Sequence, residues 1–314
     1  MSWLDGFLLL SLFYVGVGIT VLVKFVKNFR ALFDDDLTEE EARLAGRASF
    51  FLLIPPTVAL HELGHAAAIW ANGQEVVGWI FYGYVGAVAH LPSTPLANFA
   101  IALAGNVVTL VIGAFAIGWG MKRPGHPVRN ILWIELGRNS LFLVLVFYPG
   151  LCLFFDGDFV TIYGFTKTPI ASGVTAVAHA AILAGGWWWW KRAKPRAVLL
   201  CSPLAFHVVA AEKRLAEDDR DLRANHTLGL AYGRLQDFAR SRAHLEVVAD
   251  RLDAAGRLAY GEALLETGAS ELALAAFESA ENGLLDPEAR AAARRGRVRA
   301  LGRLGRDEEA RQLL

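Results

Sequence analysis

The sequence predicts a mainly α-helical fold in two parts. A polytopic membrane bundle of about five helices with a small β-hairpin is followed by a soluble helical-repeat domain. The 314 residues are 54% hydrophobic and have a mean hydropathy of +0.36, which is high for a soluble protein. Charged residues are clustered before about Val198 and frequent after it. We therefore divide the chain into a membrane domain, 1–197, and a repeat domain, 198–314.

Five apolar runs are long enough to cross a bilayer, which takes about 20 residues of helix. They cover about residues 7–25, 49–71, 96–119, 131–155 and 170–190. The first has no basic segment before it and is interpreted as a retained membrane helix. The fourth is interrupted by Glu135, Arg138 and Asn139. These three either form an internal polar contact or, as we prefer, mark a span that begins later.

Lys and Arg are asymmetrically distributed between the spans. They follow the first span, fill the loop between the third and fourth, and follow the fifth, whereas the opposite side has only Lys167. The positive-inside rule then places the N-terminus outside and the repeat domain in the cytoplasm. We expect a multi-pass protein embedded in a lipid bilayer, of the bacterial inner-membrane type.

Two classes of site are excluded by composition. The only cysteines, Cys152 and Cys201, cannot form a disulfide framework or a cysteine-based zinc site. The basic residues form no patch interleaved with aromatic side chains, so we expect no nucleic acid partner.

The C-terminal third reads as amphipathic helices joined by short turns. Gln236, Gly268 and Gly305 occupy equivalent turns, spaced by roughly the tetratricopeptide period. Helix positions that resemble this repeat are Leu228, Gly229 and Tyr232 in a first helix and Ala273, Phe277 and Ala280 in a second helix. Such repeats stack into a curved surface that binds a protein or peptide, and the alternative is a helical cap without a partner.

The segment "HELGH" within the second apolar run has the pattern H-E-x-x-H. On a helix His61 and His65 lie one turn apart on the same face, where two neutral imidazoles can hold one zinc ion. Glu62 can then act as the general base of a hydrolytic reaction. Ionisable residues inside a span indicate a functional site, although a packed histidine pair beside a protonated glutamate is the alternative.

A catalytic zinc ion usually takes a third protein ligand. The histidines lie toward the exit end of the second span, and the fourth span exits on the same face, where "LFFDGDFV" supplies Asp156 and Asp158. On a helix these two point to different faces, so at most one is expected to bind metal. The spacing alone does not choose between Asp156 and Asp158. His90, in a loop on the same face, is a weaker candidate.

Residues from about 49 to 163 resemble the site-2 protease family of intramembrane zinc metalloproteases. "HELGH" matches the family's first motif, and "FYPGLCLFFDG" resembles its later motif, with Asp156 in the ligand position. On this resemblance we choose Asp156 as the ligand and assign Asp158 to a supporting or interfacial position. Two extra residues separate Pro149 from Asp156. The intermediate A-G-P-x-x-N motif reads "AGNVVT", so that Asn106 replaces the proline and Thr109 replaces the asparagine.

The resemblance implies one zinc ion per chain and hydrolysis of a peptide bond in or near a transmembrane segment of a membrane-protein substrate. Asn106 is a candidate substrate contact. The segment "EVVGWIFYGYVGAVAHL" predicts short strands, and the family has a hairpin here whose edge could pair with an extended substrate. The family places the metal nearer the cytoplasm, whereas the Lys and Arg distribution places this site nearer the outside.

Three alternatives remain open. The altered intermediate motif is compatible with a catalytically silent scaffold of the same fold that acts through its repeats. A membrane zincin of the CAAX-processing type would need a later glutamate as third ligand, for which the fourth and fifth spans offer only Glu135. Finally, the short H-E-x-x-H pattern can arise by chance in a structural membrane protein.

Overall fold

The computed structural model describes residues 3–34 and 37–314, and gives side chains in the first helix only from residue 9 onward. The described chain is mainly helical, as predicted. It divides into two compact units, one ending at Pro203 and the other covering Leu204–Leu314. This boundary lies close to the one predicted at residues 197 and 198.

The first unit combines long helices with one small sheet. Its elements over the described residues are α1 (Trp3–Lys27), α2 (Phe29–Leu32), α3 (Glu39–Ala71), β1 (Val76–Phe81), β2 (Gly86–His90), α4 (Pro95–Lys122), α5 (Pro127–Phe142), a π-helical turn (Leu143–Phe147), α6 (Tyr148–Leu151), α7 (Asp158–Ile162) and α8 (Pro169–Leu200). Five of the helical segments are long and apolar enough to cross a membrane, by length and composition. Their number agrees with the five predicted spans.

The helix that carries HELGH begins earlier than its apolar run. Thr38 caps α3 by accepting a hydrogen bond from the Glu41 N–H at 3.3 Å, and the Glu41 carboxylate accepts one from the Thr38 N–H at 2.8 Å. This reciprocal pair is a capping box, which starts a helix independently of hydropathy. The 33 residues of α3 extend about 50 Å, more than the roughly 30 Å of a hydrocarbon core.

The polar residues of the fourth apolar run do not mark a later start. The helix α5 begins at Pro127 after the N-cap His126, so Glu135, Arg138 and Asn139 all lie inside it. Glu135 and Arg138, one turn apart, form an ion pair. Our preference for a later start is therefore wrong, because the two charges satisfy each other on the helix surface.

The predicted strands form an antiparallel hairpin in which Trp79 pairs with Val88 and Phe81 with Gly86. Gly83, with φ of +86°, turns the chain between them. The Tyr84 hydroxyl donates a hydrogen bond to the Phe51 carbonyl of α3 at 2.9 Å. Burial, followed by the neighbouring Tyr14, raises the pKa of Tyr84 to about 12, so the hydroxyl keeps its proton at neutral pH.

The helices α4 and α5 pack with almost no gap at small residues. A Cβ on Gly137 would lie 2.5 Å from the Ile117 backbone nitrogen, and one on Gly120 would lie 2.8 Å from the Ile134 side chain. In lipid the hydrophobic effect does not drive helices together, so apolar helices gain van der Waals contact energy from such close approach. The helix α4, which packs on α5 in this way, also contacts α3.

The second unit is a run of helices in which successive helices contact one another. They are α9 (Ala205–Glu217), α10 (Leu222–Arg234), α11 (Phe238–Val247), a 3₁₀ turn (Ala249–Arg251), α12 (Ala254–Glu266), α13 (Ser270–Gly283), α14 (Pro287–Arg303) and α15 (Asp307–Gln312). The turns at Gln236, Gly268 and Gly305 all have a left-handed residue, with φ of 59°, 87° and 73°. The next N–H of each turn bonds back to the preceding helix, a Schellman-type ending that recurs three times.

The centre of this unit is the Phe277 side chain of α13, which is 0% exposed. A Cβ on Gly261 of α12 would lie 2.8 Å from its ring, and one on Gly296 of α14 would lie 2.6 Å from it. The ring therefore fills the space left by the missing side chains of two glycines, one on each neighbouring helix.

We expect Phe277→Ala to destabilise the second unit by about 3–5 kcal/mol, because it leaves a cavity that two helices cannot close. Denaturant-dependent hydrogen exchange of α12–α14 in the full chain measures this free energy. The control is Leu272→Ala on the same helix, where the side chain is 56% exposed and the expected change is within about 0.5 kcal/mol. Equal effects of the two substitutions would contradict this packing.

Candidate metal centre

His61 and His65 lie on the face of α3 that packs against α4, toward the C-terminal end of α3. Their Nε2 atoms are 3.0 Å apart. The opposite nitrogens bond to α4: His65 Nδ1 lies 2.7 Å from the Ile101 carbonyl oxygen, and His61 Nδ1 lies 3.0 Å from Thr109 Oγ1. One helix thus presents both rings, and its neighbour orients them.

These contacts define which nitrogen carries the single proton of each ring in its neutral form. A carbonyl oxygen only accepts, so His65 Nδ1–H donates to Ile101 and leaves a lone pair on Nε2. The Thr109 hydroxyl lies 3.3 Å from the Gly105 carbonyl and donates to it, so it accepts from His61 Nδ1–H. Both Nε2 lone pairs therefore face the same point, the arrangement that metal-binding imidazoles need.

Asp158, the first residue of α7, is the carboxylate that meets the histidines. Its Oδ2 lies 3.4 Å from His61 Nε2 and 3.2 Å from His65 Nε2. Burial alone would raise the pKa of Asp158, but an imidazole that becomes protonated gains an Nε2–H and a positive charge, which outweigh burial and hold the pKa of the carboxyl below its usual range. The side chain is thus a carboxylate at neutral pH.

Asp156 is not part of this cluster, and its side chain is exposed. The two extra residues after Pro149 lie in a series of turns that end at Gly157, whose extended backbone leads directly into α7. The chain therefore presents Asp158, rather than Asp156, to the histidines. The structure replaces Asp156 with Asp158 as the candidate third ligand.

The three side chains have the spacing of a metal-binding set. Their candidate ligand atoms all lie within 4.8 Å of one another. Two tetrahedral ligands at 2.0–2.1 Å from a zinc ion are roughly 3.3 Å apart, which is close to the three observed separations of 3.0, 3.2 and 3.4 Å. Three electron-pair donors this close repel one another unless a cation or a proton lies between them. The cluster could hold a divalent metal ion.

Asn106 holds the carboxylate in place. Its Nδ2 donates to Asp158 Oδ2 at 2.9 Å and to the Ala102 carbonyl at 2.8 Å, and both partners can only accept. Its Oδ1 is buried and has no hydrogen-bond partner within the described part of the chain. The predicted substrate contact of Asn106 remains a prediction, while the structure shows a contact with the candidate ligand.

Gly105 brings α4 directly against the histidine nitrogens. A Cβ at this position would lie 2.4 Å from His65 Nε2 and 2.8 Å from His61 Nε2. On the facing helix, a Cβ on Gly64 would lie 3.1 Å from the Gly105 Cα. The two glycines allow the close approach that lets α4 reach both rings.

Glu62 is 4% exposed and lies beside the cluster, close enough to interact electrostatically with both histidines and Asp158. Gly86, the first residue of β2, covers it, since a Cβ there would lie 2.5 Å from Glu62 Oε1. Among the described residues, no hydrogen-bond donor reaches this carboxylate. Glu62 is therefore available to exchange a proton with a bound molecule.

Two residues before α7 support its first turn. The Tyr148 hydroxyl accepts a hydrogen bond from the Asp158 N–H at 3.2 Å, and the Cys152 sulfur lies beside Gly157. A Cβ on Gly157 would lie 2.8 Å from the Cys152 sulfur, so only glycine lets the chain pass there without displacement. The backbone that carries Asp158 is thereby anchored to the end of the fourth apolar helix.

The sequence interpretation missed part of this site. Gly105, Thr109 and Tyr148 were not assigned to it, yet all three orient its ligands. A signal existed for the first two, because they occupy the altered "AGNVVT" motif. Glu135, the ligand that the CAAX-type alternative needs, pairs with Arg138 and is outside the described cluster, and so is His90.

Neither protein-family models, nor curated proteins, nor solved structures match this chain. The fold and the site define the class of protein: a mainly helical chain with five candidate membrane spans and a His–His–Asp cluster.

We expect Asp158→Ala to abolish binding of zinc by the detergent-purified full chain, because it removes one of three converging donors. The matched control is Asp156→Ala, which removes an exposed carboxylate two residues away and should leave the metal content unchanged. Metal content by elemental analysis, beside His61→Ala, checks this. Loss of metal in the Asp156 variant alone would restore the sequence-based assignment.

We expect Gly105→Ala to lower zinc affinity by at least about 10-fold, because the added Cβ would occupy the space of the His65 nitrogen. Gly118→Ala on the same helix is the control, since nothing lies within 4 Å of the position of its Cβ. Competition with a chromophoric chelator measures both affinities. Similar affinities would show that α4 does not approach the rings so closely.

Proposed function

We propose that this protein is an intramembrane zinc metalloprotease that hydrolyses a peptide bond in or near a transmembrane segment of another membrane protein. The observation that carries the proposal is the convergence of His61, His65 and Asp158 beside the buried carboxylate of Glu62, on helices apolar enough to span a membrane. The donor set of two imidazoles and one carboxylate is one that catalytic zinc sites use.

Zinc bound there would polarise the scissile carbonyl and lower the pKa of water. The protein supplies the rest. Glu62 takes a proton from the attacking water and delivers it to the leaving amine, the work of a general base and acid. Ile101 and Thr109 hold the two imidazoles in the tautomer that leaves Nε2 free, and Asn106 holds the Asp158 carboxylate.

The hairpin provides a means to present an extended substrate. A sheet of two strands leaves the outer edge of each strand unpaired, and Gly86 places the start of β2 against Glu62. A substrate segment that pairs with a free edge has its peptide bonds extended, with carbonyls accessible to attack. A helical segment, by contrast, keeps those carbonyls in its own hydrogen bonds.

The second unit would recruit the substrate or a regulator. Its three turns with equal geometry support the proposed tetratricopeptide-like arrangement, whose stacked helices form a binding surface. The alternative, a catalytically silent scaffold that acts through this unit, shares the fold and differs only in whether Glu62 moves a proton. The experiment below separates the two.

We expect Glu62→Gln to abolish cleavage while zinc stays bound, because the amide cannot accept a proton and general acid–base catalysis contributes about 10²–10⁴-fold. Membranes from cells that express the wild-type or variant full chain are compared by mass spectrometry of new protein N-termini. Wild-type membranes should contain new termini within or beside transmembrane segments, and Glu62→Gln membranes should lack them.

The control is Glu75→Gln, the same chemical change at an exposed position just after α3, which should leave cleavage unchanged. New termini that persist in the Glu62→Gln membranes would contradict the proposed mechanism. Bound zinc without any termini that depend on the wild type would favour the silent scaffold.

A further inference from the structure

A proline interrupts the fourth apolar helix next to the site. In a regular α-helix the Leu145 carbonyl would accept from the N–H of residue 149, but Pro149 has none. The preceding segment, Leu143–Phe147, is a π-helical turn, a local widening that is frequent at functional sites. His179 of α8 donates a hydrogen bond to this carbonyl instead, with Nε2 2.8 Å from the Leu145 oxygen.

The contact with Leu145 determines the tautomer of His179. Because the carbonyl can only accept, Nε2 carries the proton and Nδ1 presents a lone pair. The hydroxyl of Tyr163 donates to that lone pair. A single imidazole thus connects three elements: the π-helical turn, the fifth apolar helix and the residue that ends α7.

The ring of His179 also packs on α7 itself. Its centroid lies 5.9 Å from the ring of Phe159 and 6.2 Å from that of Tyr163, with the latter pair stacked at 10°. Phe159 follows Asp158 directly and packs in turn on Tyr148, with ring centroids 5.6 Å apart. The imidazole therefore holds both ends of a five-residue helix whose first residue is the candidate ligand.

Few other contacts hold α8 at this level. Only 6% of its most apolar stretch is buried within the described structure. Its buried residues are Ser172 near the start and Ala197, Leu199 and Leu200 at the end, so His179 lies far from both groups. A histidine in a mostly exposed apolar helix is costly unless its polar atoms are used, and here both are used.

We propose that His179 is a positioning residue of the metal site: it docks the fifth apolar helix on the proline break of the fourth and, through Tyr163 and Phe159, orients Asp158 toward His61 and His65. This inference rests on the proposed metal site and extends it to a residue outside the ligand set.

The test is zinc affinity of the detergent-purified full chain, measured by competition with a chromophoric chelator. His179→Ala should weaken binding by on the order of 10–100-fold, the usual effect of losing a partner that orients a ligand. His179→Gln keeps an N–H donor for the Leu145 carbonyl and should recover most of the affinity. Ser172→Ala removes a buried hydroxyl of the same helix, whose hydrogen-bond partner among the described residues is Thr168 at 2.9 Å, and should change nothing.

Wild-type affinity in His179→Ala, or equal losses in His179→Ala and Ser172→Ala, would overturn the inference while leaving the metal site intact. A wild-type chain that binds no zinc would instead defeat the proposed function, and hydrogen exchange of residues 158–163 then decides. Faster exchange there in His179→Ala than in Ser172→Ala supports the positioning role, and equal exchange overturns it.

Discussion

The structure around the candidate site depends on one kind of interaction, in which a side chain donates to a backbone carbonyl that has lost its helical donor to a proline. Pro55 in α3 cannot donate to the Phe51 carbonyl, and the Tyr84 hydroxyl of the hairpin does so instead. Pro149 cannot donate to the Leu145 carbonyl, and His179 takes that place. The two prolines thus create two attachment points for side chains from neighbouring elements. The hairpin that covers Glu62 is anchored at one, and the short helix that carries Asp158 is anchored at the other.

A second requirement is that side chains be absent where the elements converge. Gly64 and Gly105 let α3 and α4 touch, and Gly86 lets β2 lie on Glu62. The altered "AGNVVT" segment fits this geometry. Its glycine lies against the imidazoles, while Asn106 bonds Asp158 and Thr109 bonds His61. The residues that depart from the family's motif are therefore the ones that support the ligands here, so the departure alone is a weak argument for an inactive site.

Much of this site follows from the sequence, because helical periodicity is a strong local signal. A spacing of four residues places His61 and His65 on one face, and apolar runs of sufficient length predict the five candidate spans. The third ligand could not be assigned in this way. The segment between Leu151 and Asp158 consists of turns without a repeating pattern, and its path depends on contacts with Tyr148 and Cys152 that are formed only in the folded chain. The resemblance to the family's later motif favoured Asp156, and helical spacing cannot choose between two carboxylates in a segment that is not helical.

The placement of Glu62 bears on whether the site is active. A buried carboxylate costs free energy unless it is paired or hydrogen-bonded. Asp158 meets this requirement through Asn106 and the two imidazoles, but no donor among the described residues reaches Glu62. In a silent scaffold a proton on Glu62 would remove that cost, and glutamine at this position would serve the packing equally well. A general base, in contrast, needs a free oxygen next to the reacting water. A carboxylate that no donor among the described residues reaches is what the proposed proton transfer requires.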